Sequence, residues 1–304
     1  MPPSHIALAL LVAAIWGMNF IMISTALDVF PPVLLTALRF ALAALPVLFL
    51  PRPPVSWRNL TMISLPLFAA PYALLFLGMA NGMPPGFASV MIQSQAFFTM
   101  AFGALWSGER PGPRPLLGAA VAFAGLLLAG STVGTDVSWI GFGLTIAAAA
   151  SWGIGNVQMR THGKGDVFAL TIWLSLIPPV PLLAASLVFE GPDAIAQALT
   201  HPSWGAVLSL LYIAAISTVA GFGIWGHLMR HHPAGTVAPF SMLVPLFGLS
   251  SAALVMGESF GPTRLAGMAL VVAGIGLVVL RLPARRRPEP VPAESPPVEG
   301  VPRT

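Results

Sequence analysis

Long apolar runs dominate this chain, separated by short clusters of proline, glycine and charged residues. Runs of about 20 residues, the length that crosses a ~30 Å hydrocarbon core, fall near residues 4–26, 31–51, 60–80, 84–107, 113–131, 138–160, 166–189, 203–229, 233–256 and 262–282. The pattern predicts ten membrane-spanning helices joined by short loops, an all-α membrane protein. Pro46, Pro66, Pro71, Pro178, Pro179, Pro181, Pro239 and Pro245 fall inside these runs. In a bundle, neighbouring helices re-satisfy the backbone groups that proline frees, so these positions read as kinks rather than ends. The stretch 190–203 reads as the longest loop.

The apolar runs also repeat. Residues 84–128, opening Pro84-Pro85-Gly86, reappear from Pro233 at an offset of 149. Gly86 maps to Gly235, Phe98 to Phe247, Gly108-Glu109 to Gly257-Glu258, Gly112-Pro113 to Gly261-Pro262, Gly118 to Gly267 and Gly125 to Gly274. Earlier in the chain, Ala13-Ala14-Ile15-Trp16-Gly17 is echoed by Ala149-Ala150-Ser151-Trp152-Gly153. A repeat at a fixed period outranks local features in deciding a fold. The unit is five spans, residues 1–131 and 138–282, with a tail at 283–304. An odd number of spans makes the second copy enter the membrane from the opposite side, so Glu109 and Glu258 belong to opposite faces. Inverted repeats of this kind support alternating access around a site near the bilayer midplane. The Gly118/Gly125 and Gly267/Gly274 pairs mark close helix packing without a ligand role.

Composition sharpens the membrane reading. Hydrophobic residues make up 56% and charged residues 8% of the chain, against roughly 25% charged in a soluble domain, and the mean hydropathy is +0.85. The first run lacks the basic start and cleavage site of a signal peptide and is kept as a span. With the N-terminus inside, Arg52, Arg58, Arg110, Arg114, Arg160, Lys164, Arg230, Arg281, Arg285, Arg286, Arg287 and Arg303 are cytoplasmic, Arg264 is outside and Arg39 lies within a span. Asp28, Asp136, Glu190 and Asp193 then fall in outer loops. Positive-inside bias therefore predicts both termini in the cytoplasm. The pI near 10.6 reflects topology, because the basic stripe of a nucleic-acid binder is missing. The Pro/Glu-rich tail, beginning Arg285-Arg286-Arg287, has no packable face and reads as disordered at an anionic lipid surface. Zero cysteines exclude disulfides and thiolate chemistry.

Chemistry concentrates at few positions. Arg39 sits midway along the second span, where a charge costs about 2.5–3.5 kcal/mol on insertion scales. It reads either as a cavity-facing cation for a carboxylate or phosphate, to which its planar fork is suited, or as a structural arginine satisfied by carbonyls or snorkelling. Gln93 and Gln95 lie in the fourth span, about 200° apart on an ideal helix, so at most one points squarely at a cavity. Together with Asn19, Asn156, Gln158, Ser94, Thr99 and Ser241 they suit a small polar solute or hydrogen-bond the helices together. Trp16, Trp152 and Trp225 read as packing or cavity walls. No Asp or Glu lies well inside a span, so the usual carboxylate proton relay is missing. His227 is the titratable imidazole within a span, available for proton coupling or simply interfacial. Its i, i+4 partner His231 makes only a weak metal pair, with no third ligand nearby in sequence. Neither a catalytic motif nor a P-loop or dinucleotide fingerprint occurs, so no enzyme activity, metal or cofactor is expected.

Trp16-Gly17-x-Asn19-Phe20, Gly108-Glu109-Arg110 and Gly257-Glu258, set in two five-helix halves, resemble the EamA-type drug/metabolite transporter superfamily over about residues 4–282. Within it, Leu38-Arg39-Phe40, Gly82-Met83-Pro84, Gln93-Ser94-Gln95-Ala96-Phe97-Phe98-Thr99, Gly223-Ile224-Trp225-Gly226 and Leu243-Val244-Pro245 look like the O-acetylserine/cysteine exporter subgroup. The resemblance implies a secondary exporter of small amino-acid metabolites in the inner membrane, with a zwitterionic or carboxylate-bearing substrate at Arg39, Gln93 and Gln95. Other amino acids, drug-like compounds or anionic metabolites on the same scaffold, or a non-transporting scaffold protein, are the alternatives.

Overall fold

The computed structural model describes residues 1–108, 112–132, 137–232 and 234–279. Glu109, Arg110, Asp136, Pro233, Arg281 and the tail 283–304 lie outside the described residues, and so do the expectations attached to them. Every described element is helical, and no strand occurs among the described residues.

The first span is Pro3–Leu27, the second Pro32–Ala43 extended by a tight 3₁₀ segment Leu45–Phe49, and the third runs from Trp57 to Ala80. The fourth is built from Pro85–Met91, Ile92–Ser94 and Gln95–Ser107, the fifth is Pro113–Gly130 and the sixth Trp139–His162. The seventh combines Val167–Ser175 with Pro179–Phe189, and the eighth runs from Trp204 to His231. The ninth passes through Ala234–Val237 and Ala238–Leu243 into Val244–Met256, and the tenth is Pro262–Val279. The first eight are long and apolar enough to cross a membrane, and the last two contain the shorter apolar helices Phe240–Met256 and Pro262–Leu277. The chain is therefore an all-α membrane protein. The stretch expected as a long loop holds a further short helix, Pro192–Thr200. Pro192 in its first turn and Asp193 near its positive end favour that helix.

Local chemistry sets the helix ends. Ser56, Ser138, Asp166 and Ser203 each accept a backbone N–H at the start of a span, removing one orphan donor. The fourth and ninth spans both end on a left-handed glycine, Gly108 at φ 64° and Gly257 at φ 68°, a conformation open mainly to glycine. Internal prolines deform spans without ending them. Pro66 lies in a π-helical turn, Leu65–Ala69, and Pro46 and Pro239 in 3₁₀ segments. Pro178 and Pro179 divide the seventh span. The eighth span also carries a π segment, Tyr212–Ala220, so the third span of each half is overwide in its middle.

Packing follows the same pairing. The first span packs on the ninth and the sixth on the fourth, while the second meets the seventh and the fifth lies along the tenth. Glycine permits the tightest of these approaches. A Cβ at Gly17 would come 2.4 Å from Phe247 Cβ, and one at Gly153 would come 2.7 Å from Phe98 Cβ. Along the fifth and tenth spans, a Cβ at Gly274 would sit 2.3 Å from Ala122 N and one at Gly125 2.6 Å from Val271 N.

Candidate functional site

Where the two halves meet, a cavity of about 310 Å³ is lined by Trp16, Asn19, Gln93, Gln95, Trp152, Asn156 and Trp225, together with Tyr72, Ser217, Phe222 and Ser241. Its size suits a small metabolite. Trp16 and Asn19 come from the middle of the first span, and Trp152 and Asn156 from the sixth, so the echoed tryptophans occupy opposite walls. The 3₁₀ segments of the fourth and ninth spans supply Gln93 and Ser241.

Both glutamines line the cavity, where the expectation had at most one pointing squarely at it. Ile92–Ser94 is 3₁₀ rather than α-helical. At three residues per turn the two side chains lie about 120° apart the short way round, instead of the about 160° that a separation of about 200° leaves on an ideal α-helix, and both reach the same space. Gln93 Nε2 donates to Ser241 O at 3.4 Å. Asn156 Nδ2 donates to Gln95 Oε1 at 2.9 Å and to Thr99 Oγ1 at 3.1 Å. Trp16 Nε1 donates to Ser217 O at 3.0 Å, and Ser151 Oγ donates to Pro66 O at 3.1 Å. Each half thus places a donor from its first span on the π segment of the other half's third span, where the i→i−4 ladder is interrupted. Asn19 is only 7% exposed, and its Oδ1 has no partner.

Arg39 does not line the cavity. It is 1% exposed, with its guanidinium carbon 4.1 Å from the centroid of the Tyr72 ring, and Tyr72 stands between it and the open space. Nε and Nη2 donate to Thr218 Oγ1 at 3.2 and 3.1 Å, and Nη1 has no partner. Thr218 belongs to the π segment of the eighth span and donates onward to Ile213 O at 2.8 Å. The cation therefore ties the second span to the third and eighth, one layer behind the lining. Tyr72 was missed in the sequence because one tyrosine in an apolar run resembles core. The available signal was Arg39 itself, whose burial requires a compensating neighbour, and an aromatic face supplies one.

His227 also lies away from the cavity, at the face that carries the N-terminus. Its ring centroid is 4.3 Å from that of His231 and 5.5 Å from that of His5, while His5 Nδ1 is 2.6 Å from His232 Nε2. Two imidazoles thus join the pair that looked isolated in the sequence. Two nitrogens on one tetrahedral zinc lie about 3.3 Å apart at 2.0–2.1 Å bond lengths, so the His5–His232 contact is a hydrogen bond rather than a shared ion. His232 titrates below an ordinary imidazole, chiefly through desolvation, with the charges of His5 and the N-terminus adding. On the same face Asp166 accepts from Ala169 N at 2.9 Å and pairs with Arg230. That backbone donor, with help from Arg230, holds its carboxyl below the usual range.

Two carboxylates bind helix starts on the opposite face. Glu190 accepts from Val33 N at 2.7 Å, Leu34 N at 2.9 Å and Ser186 Oγ at 2.6 Å. Glu258 accepts from Gly86 N at 3.1 Å. Burial raises the Glu258 carboxyl above its ordinary value, although Gly86 N–H and Arg264 pull it down.

Among the described residues, eight apolar spans and two shorter apolar helices around a cavity lined by amides and aromatic rings, with irregular helical segments at the lining, define a membrane carrier. The model of the EamA-like transporter family matches residues 3–131 and again 139–280, and the chain belongs to that family. It is a transporter and not an enzyme. A probable amino-acid metabolite efflux pump of Salmonella typhimurium is 42% identical over 286 residues, covering 92% of this chain and 96% of the relative. A protein of Escherichia coli K12 with the same description is 40% identical over the same shares. A solved crystal structure at 16% identity, covering 91% of this chain and 96% of its own, superposes with a TM-score of 0.60 and shows the same fold.

Proposed function

We propose that this chain exports small amino-acid metabolites, O-acetylserine, cysteine or close relatives, across the inner membrane by alternating access. The observation that carries the reading is the cavity of about 310 Å³ at the meeting of the two halves, lined by neutral amides, hydroxyls and aromatic rings. Such a lining binds a small polar solute loosely enough to release it. The names of the two relatives near 40% identity point to the same solute class.

The alternating motion is supported by the matched halves, 1–131 and 138–282. Their left-handed caps, their π segments and their first-to-ninth and sixth-to-fourth contacts correspond pairwise. Exchanging the conformations of the two halves would move access from one face to the other. The face bearing the N-terminus is the cytoplasmic one in this reading, because Arg52, Arg58, Arg160, Lys164 and Arg230 gather there. Anionic metabolites fit less well, since no cation lines the cavity. Proton coupling by His227 would act at the cytoplasmic face rather than at the substrate.

Expression in a host fed a cysteine precursor tests the substrate class. Extracellular O-acetylserine and cysteine should rise above the empty-vector level. Unchanged levels, with the protein present in the membrane, would overturn the assignment.

A further inference from the structure

Two amides on the cavity have their orientation fixed from behind it. In the fourth span the backbone carbonyl of Gln95 can only accept, and it lies 2.7 Å from Thr99 Oγ1, so the Thr99 hydroxyl hydrogen is committed to it. The hydroxyl oxygen is left to accept, and the Asn156 atom 3.1 Å from it is therefore the amide nitrogen. That nitrogen meets the Gln95 side chain at 2.9 Å, which makes the facing atom Oε1. Asn156 thus spends both amide hydrogens, and one backbone carbonyl dictates which end of each amide is left over. Thr99 does not line the cavity. The sixth span presses on it through Gly153, where a Cβ would come 2.8 Å from Thr99 N, and Asn156 follows Gly153 by three residues on the same helix face.

The ends left over are a donor and an acceptor. Gln95 Nε2 and Asn156 Oδ1 have no hydrogen-bond partner. Neither is one of the two unpartnered side-chain atoms that are buried among the described residues, Asn19 Oδ1 and Arg39 Nη1. Both atoms therefore keep accessible surface, and both residues line the cavity. A solute there meets an N–H pair and a carbonyl oxygen side by side. Apolar surface comes from Trp16, Phe222 and Trp225, with the Trp16 ring 5.3 Å from each of the other two.

We propose that Gln95 Nε2 takes the carboxylate and Asn156 Oδ1 the ammonium of an α-amino acid, and that Thr99, as a positioning residue, makes the site enantioselective by holding this amide pair in one orientation. The two charged groups of such a solute hang on one carbon, and a neighbouring donor and acceptor match them through charge-assisted hydrogen bonds. A zwitterion brings no net charge to a lining whose described residues carry none. Its side chain is left to the rings of Trp16, Phe222 and Trp225. Exchanging carboxylate and ammonium on a carbon inverts its configuration. If both amides turned over, donor and acceptor would change places, and the site would take the other enantiomer with its side chain on the same rings. In the native chain that turn breaks the Asn156–Thr99 bond and sets two acceptor oxygens against each other, so one orientation prevails. This inference rests on the reading of the chain as an amino-acid metabolite exporter.

The test is counterflow of labelled L-cysteine or O-acetyl-L-serine in proteoliposomes, inhibited by unlabelled L- or D-cysteine. Reductant is present throughout, and the chain has no cysteine to react with the probes. Wild type should favour the L form by at least about tenfold, the weight of one misplaced hydrogen bond. Thr99→Val, which keeps the shape and removes the hydroxyl, should bring the two enantiomers to within about twofold of each other, chiefly by admitting the D form. Thr99→Ala, run alongside, should do the same, and Thr99→Ser should keep the native ratio. A packing role for Thr99 would move both enantiomers together. Cysteamine, which lacks the carboxylate, and 3-mercaptopropionate, which lacks the ammonium, should each inhibit at least about tenfold more weakly than L-cysteine.

Equal inhibition by the two enantiomers in wild type, or a native ratio in folded Thr99→Val and Thr99→Ala proteins, would overturn the positioning role and leave the exporter reading intact. Cysteamine or 3-mercaptopropionate matching L-cysteine would overturn the paired site in the same way. Folded wild-type protein that exchanges neither labelled solute would overturn the exporter reading and this inference with it.

Discussion

Arg39 offers a substitution in which folding and transport should part company. In the native protein its Nε and Nη2 both donate to Thr218 Oγ1, and its guanidinium lies 4.1 Å from the Tyr72 ring centre. The charge-assisted bonding contributes about 1.5–3 kcal/mol and the desolvated cation–π contact about 2 kcal/mol. Against these stand about 2.5–3.5 kcal/mol for placing the charge within a span and about 1–3 kcal/mol for the unpartnered Nη1. The two sides cancel to within about 2 kcal/mol. Arg39→Met, which keeps the length of the stem and removes both sides together, should insert normally and shift the apparent Tm by only a few degrees. Transport should respond quite differently. Tyr72 loses the cation that fixes its ring on the cavity wall, and a restraint of about 2 kcal/mol corresponds to a factor of about 30. Flux of labelled cysteine in proteoliposomes should therefore fall by roughly that factor. Arg39→Ala should lose transport as well, with some added loss of stability from the vacated volume. Thr218→Val keeps the charge over Tyr72 and cuts the hydrogen bonds, so its flux should fall between wild type and Arg39→Met. Wild-type flux in Arg39→Met, or its failure to fold, would refute the reasoning.

Three further outcomes are expected. Gly17→Ala and Gly153→Ala should each destabilise by about 1–3 kcal/mol, and by similar amounts, because both press a Cβ into the facing phenylalanine; thermal melts in detergent would check this. Glu190→Gln should lower the melting temperature by weakening two backbone bonds at the start of the second span, on the order of 1 kcal/mol. Glu258 gives a pH signature: its folded-state pKa is raised, so the native state holds the proton more tightly than the unfolded chain. Its contribution is then present below the ordinary value of 4.5 and is lost as pH rises through the elevated one. Wild-type melting temperature should therefore decline relative to Glu258→Gln across that window, and a parallel pair of curves would contradict the burial argument.

Much of this architecture was legible in one sequence because its signals are local or self-similar. Hydropathy runs place the spans, and the 149-residue offset of the glycines anticipates the matched caps at Gly108 and Gly257. The echoed Trp16 and Trp152 pointed to the cavity walls for the same reason. What stayed hidden depends on departures from ideal helix geometry and on meetings between distant segments. Nothing in Ile92-Gln93-Ser94 announces a 3₁₀ turn, so ideal periodicity separated two glutamines that the structure brings onto one cavity. Tyr72 became visible only through its contact with Arg39. His227, His231 and His232 stand together at the end of the eighth span, but His5 joins them from the start of the first, and no periodicity within one span reveals that meeting. The helix Pro192–Thr200 carried its start signals in Pro192 and Asp193, but its polarity read as loop.

Counterflow in proteoliposomes tests the central claim most directly. Vesicles loaded with unlabelled cysteine or O-acetylserine and diluted into trace label should accumulate that label transiently through the wild-type protein. The Arg39→Met protein should do so far more weakly, and parallel runs with an imposed pH gradient would show whether protons move with the solute. Folded wild-type protein that accumulates neither solute would contradict the proposed substrate and leave only the transporter fold.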